Sequence, residues 1–413
     1  MKIQLIEAFH GGHHTNYIEA LLPTFRRNLE SGHVSEVTIT VTKTHHEQLL
    51  RQGIAKQEAV NLRFLPTFPD INPNPSLQDR YKLFQSINQS VEEVNADALI
   101  CTSADYDVMF SALLKSNASY GARQGCKSVG VFHYGYPRSK NLAWKENLKQ
   151  KIYETAWKNA AWDRFLFVNP LMYEYINQQD STFSAKTTLL PDPVPTAISV
   201  ETIEARERLG IPQDGFYLGF VGMMDSRKAI PELLAAFVHA KAYLSSRLLL
   251  AGMLAQEYYQ LIQEKYADLV KSQRIVLINR HLSNDEVQLG YAAIDAQALL
   301  QYRRINLSAN LLKAVAYGKP ILVDNYGYTG MMANRFGLGS SCDVHNIDST
   351  SHAMTHLIET AENFKPTPQT KRLIEFHHVD NYASTIMAEL ISNTEPDSKL
   401  RTWEWVCEGL VKL

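Results

Sequence analysis

The sequence predicts an α/β protein built from two Rossmann-like, doubly wound parallel-sheet domains. Three observations predict it. Short apolar runs alternate with helix-like segments along most of the chain, as strand–helix–strand units around a parallel sheet do. A proline-dense break, Leu190-Pro191-Asp192-Pro193-Val194-Pro195, divides that alternation into two halves. The length, 413 residues, is more than one compact core usually fills.

Lys2 to Phe9 reads as the first strand. It runs into His10-Gly11-Gly12-His13-His14 and then a helix from about Thr15 to Glu30. Glycines at such a turn let a ligand approach the backbone closely. The match is not G-x-G-x-x-G, so no nicotinamide or flavin cofactor is implied. The histidines pose the question of a metal, but neighbouring loop histidines lack helical ligand spacing and no carboxylate pattern accompanies them, so no metal is predicted.

Val37–Thr42 (VTITVT) is a β-branched second strand. Asn61–Phe64 is a candidate third. Prolines 66, 69, 73 and 75 mark a loop, and Arg80–Glu93 has helical spacing. Ala98–Thr102 and Ser128–Phe132 are buried strands. In such sheets ligands sit at the carboxyl ends of the strands. His133-Tyr134-Gly135-Tyr136-Pro137 follows directly at one such end. A histidine there can hydrogen-bond a sugar hydroxyl or move a proton; the alternative is a packing histidine in a rigid aromatic turn. Trp144–Trp162 reads as one long helix whose aromatics pack, and Phe165–Asn169 as a strand.

The prolines of 190–195 can continue neither a helix nor a central strand. The predicted division is therefore 1–190, a linker at 191–204, a second domain at 205–375, and closing helices at 376–413 that could pack back on the first domain. A helix begins near Ala205. Tyr217–Val221 opens the second sheet, and Gly222-Met223-Met224-Asp225-Ser226-Arg227-Lys228 is the loop after it. Ile230-Pro231 then starts a helix. Lys228 thus stands at a strand end and just before a helix amino terminus, where an anion is held. Leu248–Ala251, Arg274–Ile278 and Asp295–Leu300 are further strands, and Asp285–Ala293 is a helix.

Leu299–Gly330 reads as strand end, loop, helix, turn, strand, loop. Ser308 can cap the helix by accepting a backbone N–H. Leu311, Leu312, Val315 and Ala316 share one helical face, and Asn310, Lys313 and Tyr317 another. Gly318 and Pro320 end the helix, and Ile321–Val323 is a buried strand. Arg303 and Arg304 beside the helix start make an anion site; the alternative is a surface pair beside an ordinary helix. Ser392–Arg401 reads as a loop and Trp403–Leu413 as a last amphipathic helix.

Lys plus Arg number 41 against 43 Asp plus Glu, a net charge of −2, so no strong field argues for nucleic acid. Hydrophobic residues at 45% and charged residues at 20% are ordinary for a globular protein. Four scattered cysteines without a C-x-x-C pair fit a reducing compartment. MKIQLIEAF is too short and too acidic for a signal peptide, and no run of about 20 apolar residues is present. The expected location is cytoplasmic, with contact at a membrane periphery left open.

GFVGMMDSRKAIPELLAAF (219–237), RHLSNDEVQLGYAAIDAQALLQY (280–302) and KAVAYGKPILVDNYGYTGMM (313–332) resemble the nucleotide-binding segments of retaining glycosyltransferases of family four (group 1), which have the GT-B fold. FHGGHH, VFHYGYP and VNPLMYEYI…LLPDPVP match its amino-terminal half more loosely. The resemblance implies two domains facing across a cleft, the second holding a nucleotide-sugar donor and the first a glycan, lipid-linked or small-molecule acceptor. It implies transfer with retention and without a metal, the nucleotide-sugar being a co-substrate rather than a cofactor. It assigns Lys228, with Gly222, to the donor diphosphate, His133 to the neighbourhood of the transferred sugar, and Gly11 and Gly12 to the donor phosphates. His13, His14 and Tyr134 fall on the acceptor side. Ser308, Asn310, Lys313, Arg303 and Arg304 fall on the donor side.

Two departures from the family pattern stand out. Met223 occupies the position of a family arginine, for which Arg227 is the substitute at hand. Ile305 and Lys313 occupy the positions of two family glutamates, the second of which holds the ribose. These losses keep open a non-catalytic scaffold that binds a sugar nucleotide or a partner glycosyltransferase. A sugar-nucleotide epimerase of similar fold would need a carboxylate pair in the cleft, and the sequence offers no convincing one.

Overall fold

The computed structural model of the chain describes residues 1–10, 13–55, 61–70, 75–106, 108–114, 126–135, 138, 144–302 and 308–391. They form two compact units: Met1–Pro193 with the chain from His377, and Val194–Phe376. Gly11, Gly12, Tyr136, Pro137, Arg303, Arg304, Ile305 and the segments read as a loop and helix in 392–413 lie outside the described residues.

The first unit carries seven strands: β1 (Lys2–Glu7), β2 (Glu36–Thr42), β3 (Leu62–Phe68), β4 (Ala98–Cys101), β5 (Lys127–Phe132), β6 (Arg164–Phe167) and β7 (Thr187–Leu189). Their order is β3-β2-β1-β4-β5-β6-β7, and every neighbouring pair is parallel. β1 lies near the middle and is buried from Ile3 to Glu7, as a strand covered by helices on both faces must be. Helix His13–Glu30 packs Tyr17, Ile18, Leu21 and Phe25 into that core. Helix Leu77–Val94 starts from a capping box in which Ser76 and Asp79 satisfy each other's N–H groups. It stops at Asn95, whose left-handed φ of 55° ends the run.

The second unit carries β8 (Phe216–Val221), β9 (Ser246–Ala251), β10 (Ile275–Ile278), β11 (Ala296–Leu299), β12 (Ile321–Asp324) and β13 (Gly339–Cys342), in the order β10-β9-β8-β11-β12-β13 and again parallel throughout. Its first helix, Thr202–Leu209, is stapled to the sheet by buried Arg206. That guanidinium donates to the Ala293, Gln213 and Gly215 carbonyls and pairs with Asp295 at 2.8 Å. Asp295 also accepts the Tyr217 N–H at 2.6 Å, so one arginine joins the starts of β8 and β11. Charge-assisted bonds of this kind are the strong ones.

Two parallel-sheet α/β units match the fold class expected from the alternation. Individual limits differ. The helix expected over Trp144–Trp162 ends at Asn159, because the Asp163 carboxylate turns back to accept the Ser128 N–H and hydroxyl, each at 2.8 Å. The chain leaves the first unit at Pro193 and re-enters it at His377. There His377 Nδ1 lies 3.0 Å from the Asp192 nitrogen and 3.1 Å from its carbonyl oxygen.

Candidate functional site

In the second unit, candidate residues gather at the carboxyl edge of the sheet because three chain segments are stitched together there. The Ala229 N–H donates to the Leu300 carbonyl and the Tyr302 N–H to the Arg227 carbonyl. Between them Lys228 and Gln301 form an antiparallel bridge. Asn310, in the first turn of helix Ala309–Ala316, donates its amide to the Val221 carbonyl at 3.1 Å. The loop after β8, the end of β11 and the start of that helix are thereby one assembly. Gly222 sits inside it at φ 126°, and a Cβ there would meet the Asn310 amide nitrogen at 2.9 Å. Only glycine accepts that backbone without strain.

Lys228 is buried, 6% exposed. Beside it Asp225 engages Arg227 through both carboxylate oxygens. Burial alone would raise the Asp225 pKa, but the bonds from Arg227 and the charges of Arg227 and Lys228 hold it below the ordinary value. Arg227, the substitute for the missing family arginine, therefore has its guanidinium on Asp225, while Met223 is 55% exposed. Tyr302 donates its hydroxyl to Glu232 and stacks on His345, with ring centroids 5.8 Å apart.

One pattern bears on ligand chemistry. The helices that follow the four inner strands β8, β9, β11 and β12 begin at Ile230, Gln256, Ala309 and Gly327, and none has a side-chain cap. The helices that follow the outer strands β10 and β13 are capped, by Ser283 and Asn346. Ser308 stands at the cap position of its helix but makes no capping bond. This corrects the expectation for it: its buried hydroxyl takes a long 3.5 Å contact from Gln301 instead. First-turn N–H groups without side-chain acceptors favour an anion, although at Ile230 the first N–H goes to the Lys228 carbonyl and Pro231 has none.

In the first unit the corresponding edge holds a buried carboxylate. Glu7 ends β1, has no exposed surface, and accepts from the Thr102 hydroxyl (2.7 Å), the Ser103 hydroxyl (2.8 Å) and the Phe9 N–H (3.0 Å). His14 Nδ1 lies 3.1 Å from its Oε2. Burial alone would raise the Glu7 pKa; His14 and the hydrogen bonds outweigh it and hold the group down at about 2. His133 follows β5. Its Nε2 lies 2.8 Å from the Thr102 carbonyl, which can only accept, so Nε2 carries the proton. Nδ1 faces the Tyr17 hydroxyl at 3.3 Å, and the two rings stack at 5.1 Å. Burial lowers the His133 pKa to about 4. Buried Asp105 accepts the backbone N–H groups of His133 (2.7 Å) and Tyr134 (3.2 Å) and so shapes the loop. The Tyr134 hydroxyl is 2.9 Å from that of Tyr106.

No protein-family model matches the chain, and no curated sequence matches it. Solved structures match over nearly the whole length. HepE of Anabaena in complex with UDP is 16% identical, with 95% of this chain and all of that chain covered at a TM-score of 0.65. Sucrose-phosphate synthase of Thermosynechococcus elongatus is 14% identical over 95% and 100% of the two chains, TM-score 0.66. UDP-GlcNAc 2-epimerase of Neisseria meningitidis bound to UDP-GlcNAc is 16% identical over 95% and 100%, TM-score 0.60. The fold is GT-B. At such identities the likeness speaks for the fold and not for the reaction.

Within the GT-B fold, Lys228, Gly222, Ser308 and Asn310 come together at the inner strand ends of the second unit. Lys313, half-buried, lies one turn further along the same helix. His14, Tyr134 and His133 share the carboxyl edge of the first unit, and His13 opens its first helix. Both ring nitrogens of His133 face protein groups. Sequence reasoning missed Glu7, Asp105 and Tyr17. The one available signal was an acid closing the apolar strand KIQLIE, at a position whose neighbours are all buried. Among the described residues no group of three His, Cys, Asp or Glu is placed to hold a metal ion. His133→Ala is expected to cost about 1–3 kcal/mol of stability, the range for losing a buried hydrogen-bond partner, while UDP affinity measured by calorimetry stays unchanged.

Proposed function

We propose that the protein is a glycosyltransferase that moves a sugar from a nucleoside diphosphate donor, held by the second unit, to an acceptor hydroxyl held by the first. The observation that carries this reading is the set of uncapped helix starts at the inner strands around Lys228 and Gly222. A diphosphate supplies acceptors for such N–H groups and a counter-charge for the lysine. In transfer, the same groups stabilise the leaving diphosphate as charge develops on it. Solved proteins of the same fold hold UDP or UDP-glucose, which makes UDP the first nucleotide to try. No metal or separate cofactor enters the proposal.

The test is a thermal-shift series with UDP, GDP and ADP, followed by incubation with the matching nucleotide-sugars. A ligand that binds only the folded state raises the melting temperature, by about 2.7 kcal/mol of stabilisation at a hundred times Kd. No shift with any diphosphate would defeat the donor site. A shift without donor hydrolysis or transfer would instead support the non-catalytic scaffold.

The resemblance implies retention of the anomeric configuration. A second reading rests on the Glu7–His14 pair, since a carboxylate-held imidazole can take a proton from an acceptor hydroxyl. Such a base serves direct, inverting displacement. NMR of the product's anomeric proton decides between the two.

Lys313 stands where the family pattern has a ribose-holding glutamate. Lysine only donates, whereas a carboxylate accepts from hydroxyls. UDP and its 2′-deoxy form are therefore expected to bind with less than about a tenfold difference, or about 1.4 kcal/mol. A larger preference for UDP in calorimetry would show that another residue reads the ribose.

A further inference from the structure

Helix Trp144–Asn159 is apolar on two faces, and only one of them is covered. Tyr153, Ala156 and Trp157 are buried, with Trp157 edge-on to Phe132 and Phe167. On the other side Trp144 (71% exposed), Leu148 (50%) and Ile152 (46%) follow one another at four-residue spacing. That spacing lines them along a single stripe. Leu77, 66% exposed, joins them around a groove of about 500 Å³ that Met109 and Arg80 also line. Single exposed apolar residues are ordinary, but a contiguous patch marks an interaction surface.

The chemistry around the stripe selects the partner. Lys145, Lys149 and Lys151 are exposed on the same helix, and Lys145 Nζ lies 5.7 Å from the Trp144 ring centre. Of the acids nearby, Glu154 pairs with Arg138, Asp79 closes the Ser76 capping box, and Glu146 in the helix's first turn is half-buried, so three exposed lysines stand beside one partly covered acid. The face is thus apolar along its ridge and basic beside it, on a chain whose net charge is −2. Tryptophan and leucine on one side with lysines flanking them is the arrangement that lies in a bilayer interface and meets anionic headgroups.

We propose that this face docks on an anionic lipid bilayer, with Trp144, Leu148, Ile152 and Leu77 entering the headgroup–acyl boundary and Lys145, Lys149 and Lys151 meeting the lipid phosphates. The proposal stands apart from the glycosyltransferase reading, because vesicle binding needs no nucleotide. The test is co-sedimentation of the full chain with vesicles of phosphatidylcholine alone and of phosphatidylcholine with phosphatidylglycerol. Binding to the mixed vesicles is expected to be at least about tenfold stronger and to weaken as salt is added. Trp144→Ser with Leu148→Gln, and separately Lys145→Glu with Lys149→Glu, should each lower it by about tenfold or more. All four side chains are exposed, so melting temperatures should not move. Equal binding to both vesicle types, no binding to either, or wild-type binding by both double variants at unchanged melting temperature would overturn the proposal.

Discussion

Glu7→Ala is expected to cost the first unit about 3–5 kcal/mol, since three buried donors lose their acceptor at about 1–3 kcal/mol each. The loss has an identifiable origin. Without the carboxylate, the Thr102 and Ser103 hydroxyls and the Phe9 N–H lose a common acceptor inside the core, and His14 Nδ1 loses the oxygen 3.1 Å away. Urea unfolding monitored by hydrogen exchange in β1 and β4 measures the effect. A loss below about 1 kcal/mol, the ordinary worth of an exposed pair, would mean that the site closes around water or another donor.

The same cluster makes the first unit sensitive to acid. Glu7 is held at about 2 against an ordinary 4.5. Its contribution is therefore complete above pH 4.5 and disappears as pH falls from there toward 2. His45 and His377 are buried, and burial holds each at about 4 against an ordinary 6.5. They stay neutral in the fold, while in the unfolded chain they take protons below pH 6.5. Stability is thus lost from pH 6.5 downward toward 4, by about 3 kcal/mol per histidine at most. Both effects have the same sign, and all three groups lie in the first unit. On titration from pH 7 to pH 4, peptides of the first unit should lose exchange protection before those of the second. The opposite order would contradict the assignment.

The strands were legible where an apolar or β-branched run was long enough to need two-sided burial, as in KIQLIE, EVTITVT and FYLGFV. β7 and β13 were not. Their sequences, TTL and GSSC, carry little apolar signal and are strands because a parallel neighbour supplies the ladder. Helix Lys43–Arg51 escaped for a related reason: KTHHEQLLR is mostly polar, and its start depends on the Thr42 cap. Lys228 could be placed because strand, loop and proline-started helix are all local signals. The state of Glu7 could not, since its acceptor role rests on Thr102 and Ser103, 95 and 96 positions away. The loop position of His133 was readable, but its ring orientation depends on the Thr102 carbonyl and Tyr17. Trp144 shows the limit of composition: Trp157 and Trp162 are core residues, yet Trp144, on the same predicted helix, faces outward.

Lys228→Met is expected to weaken UDP binding by about 1.5–3 kcal/mol, the range for a hydrogen bond to a charged group, or roughly tenfold to a hundredfold or more. Methionine is the informative replacement. Lys228 is only 6% exposed, so its aliphatic stem packs, and alanine would mix lost charge with lost volume. The loop itself should survive, because it is held through backbone atoms: the Tyr258 hydroxyl and the Ile230 N–H both donate to the Lys228 carbonyl. Arg227 provides the contrast within the same loop. Its guanidinium is tied to Asp225 and its side chain is 69% exposed, so Arg227→Ala should change UDP affinity by no more than the roughly 0–1 kcal/mol typical of exposed pairs. Calorimetry on both variants, with melting temperatures as a check on folding, separates a charge at the diphosphate from a general basic surface. If Lys228→Met binds UDP like the wild type while Arg227→Ala does not, the phosphate contact belongs to Arg227. The uncapped helix start at Ala309 would then act without the lysine.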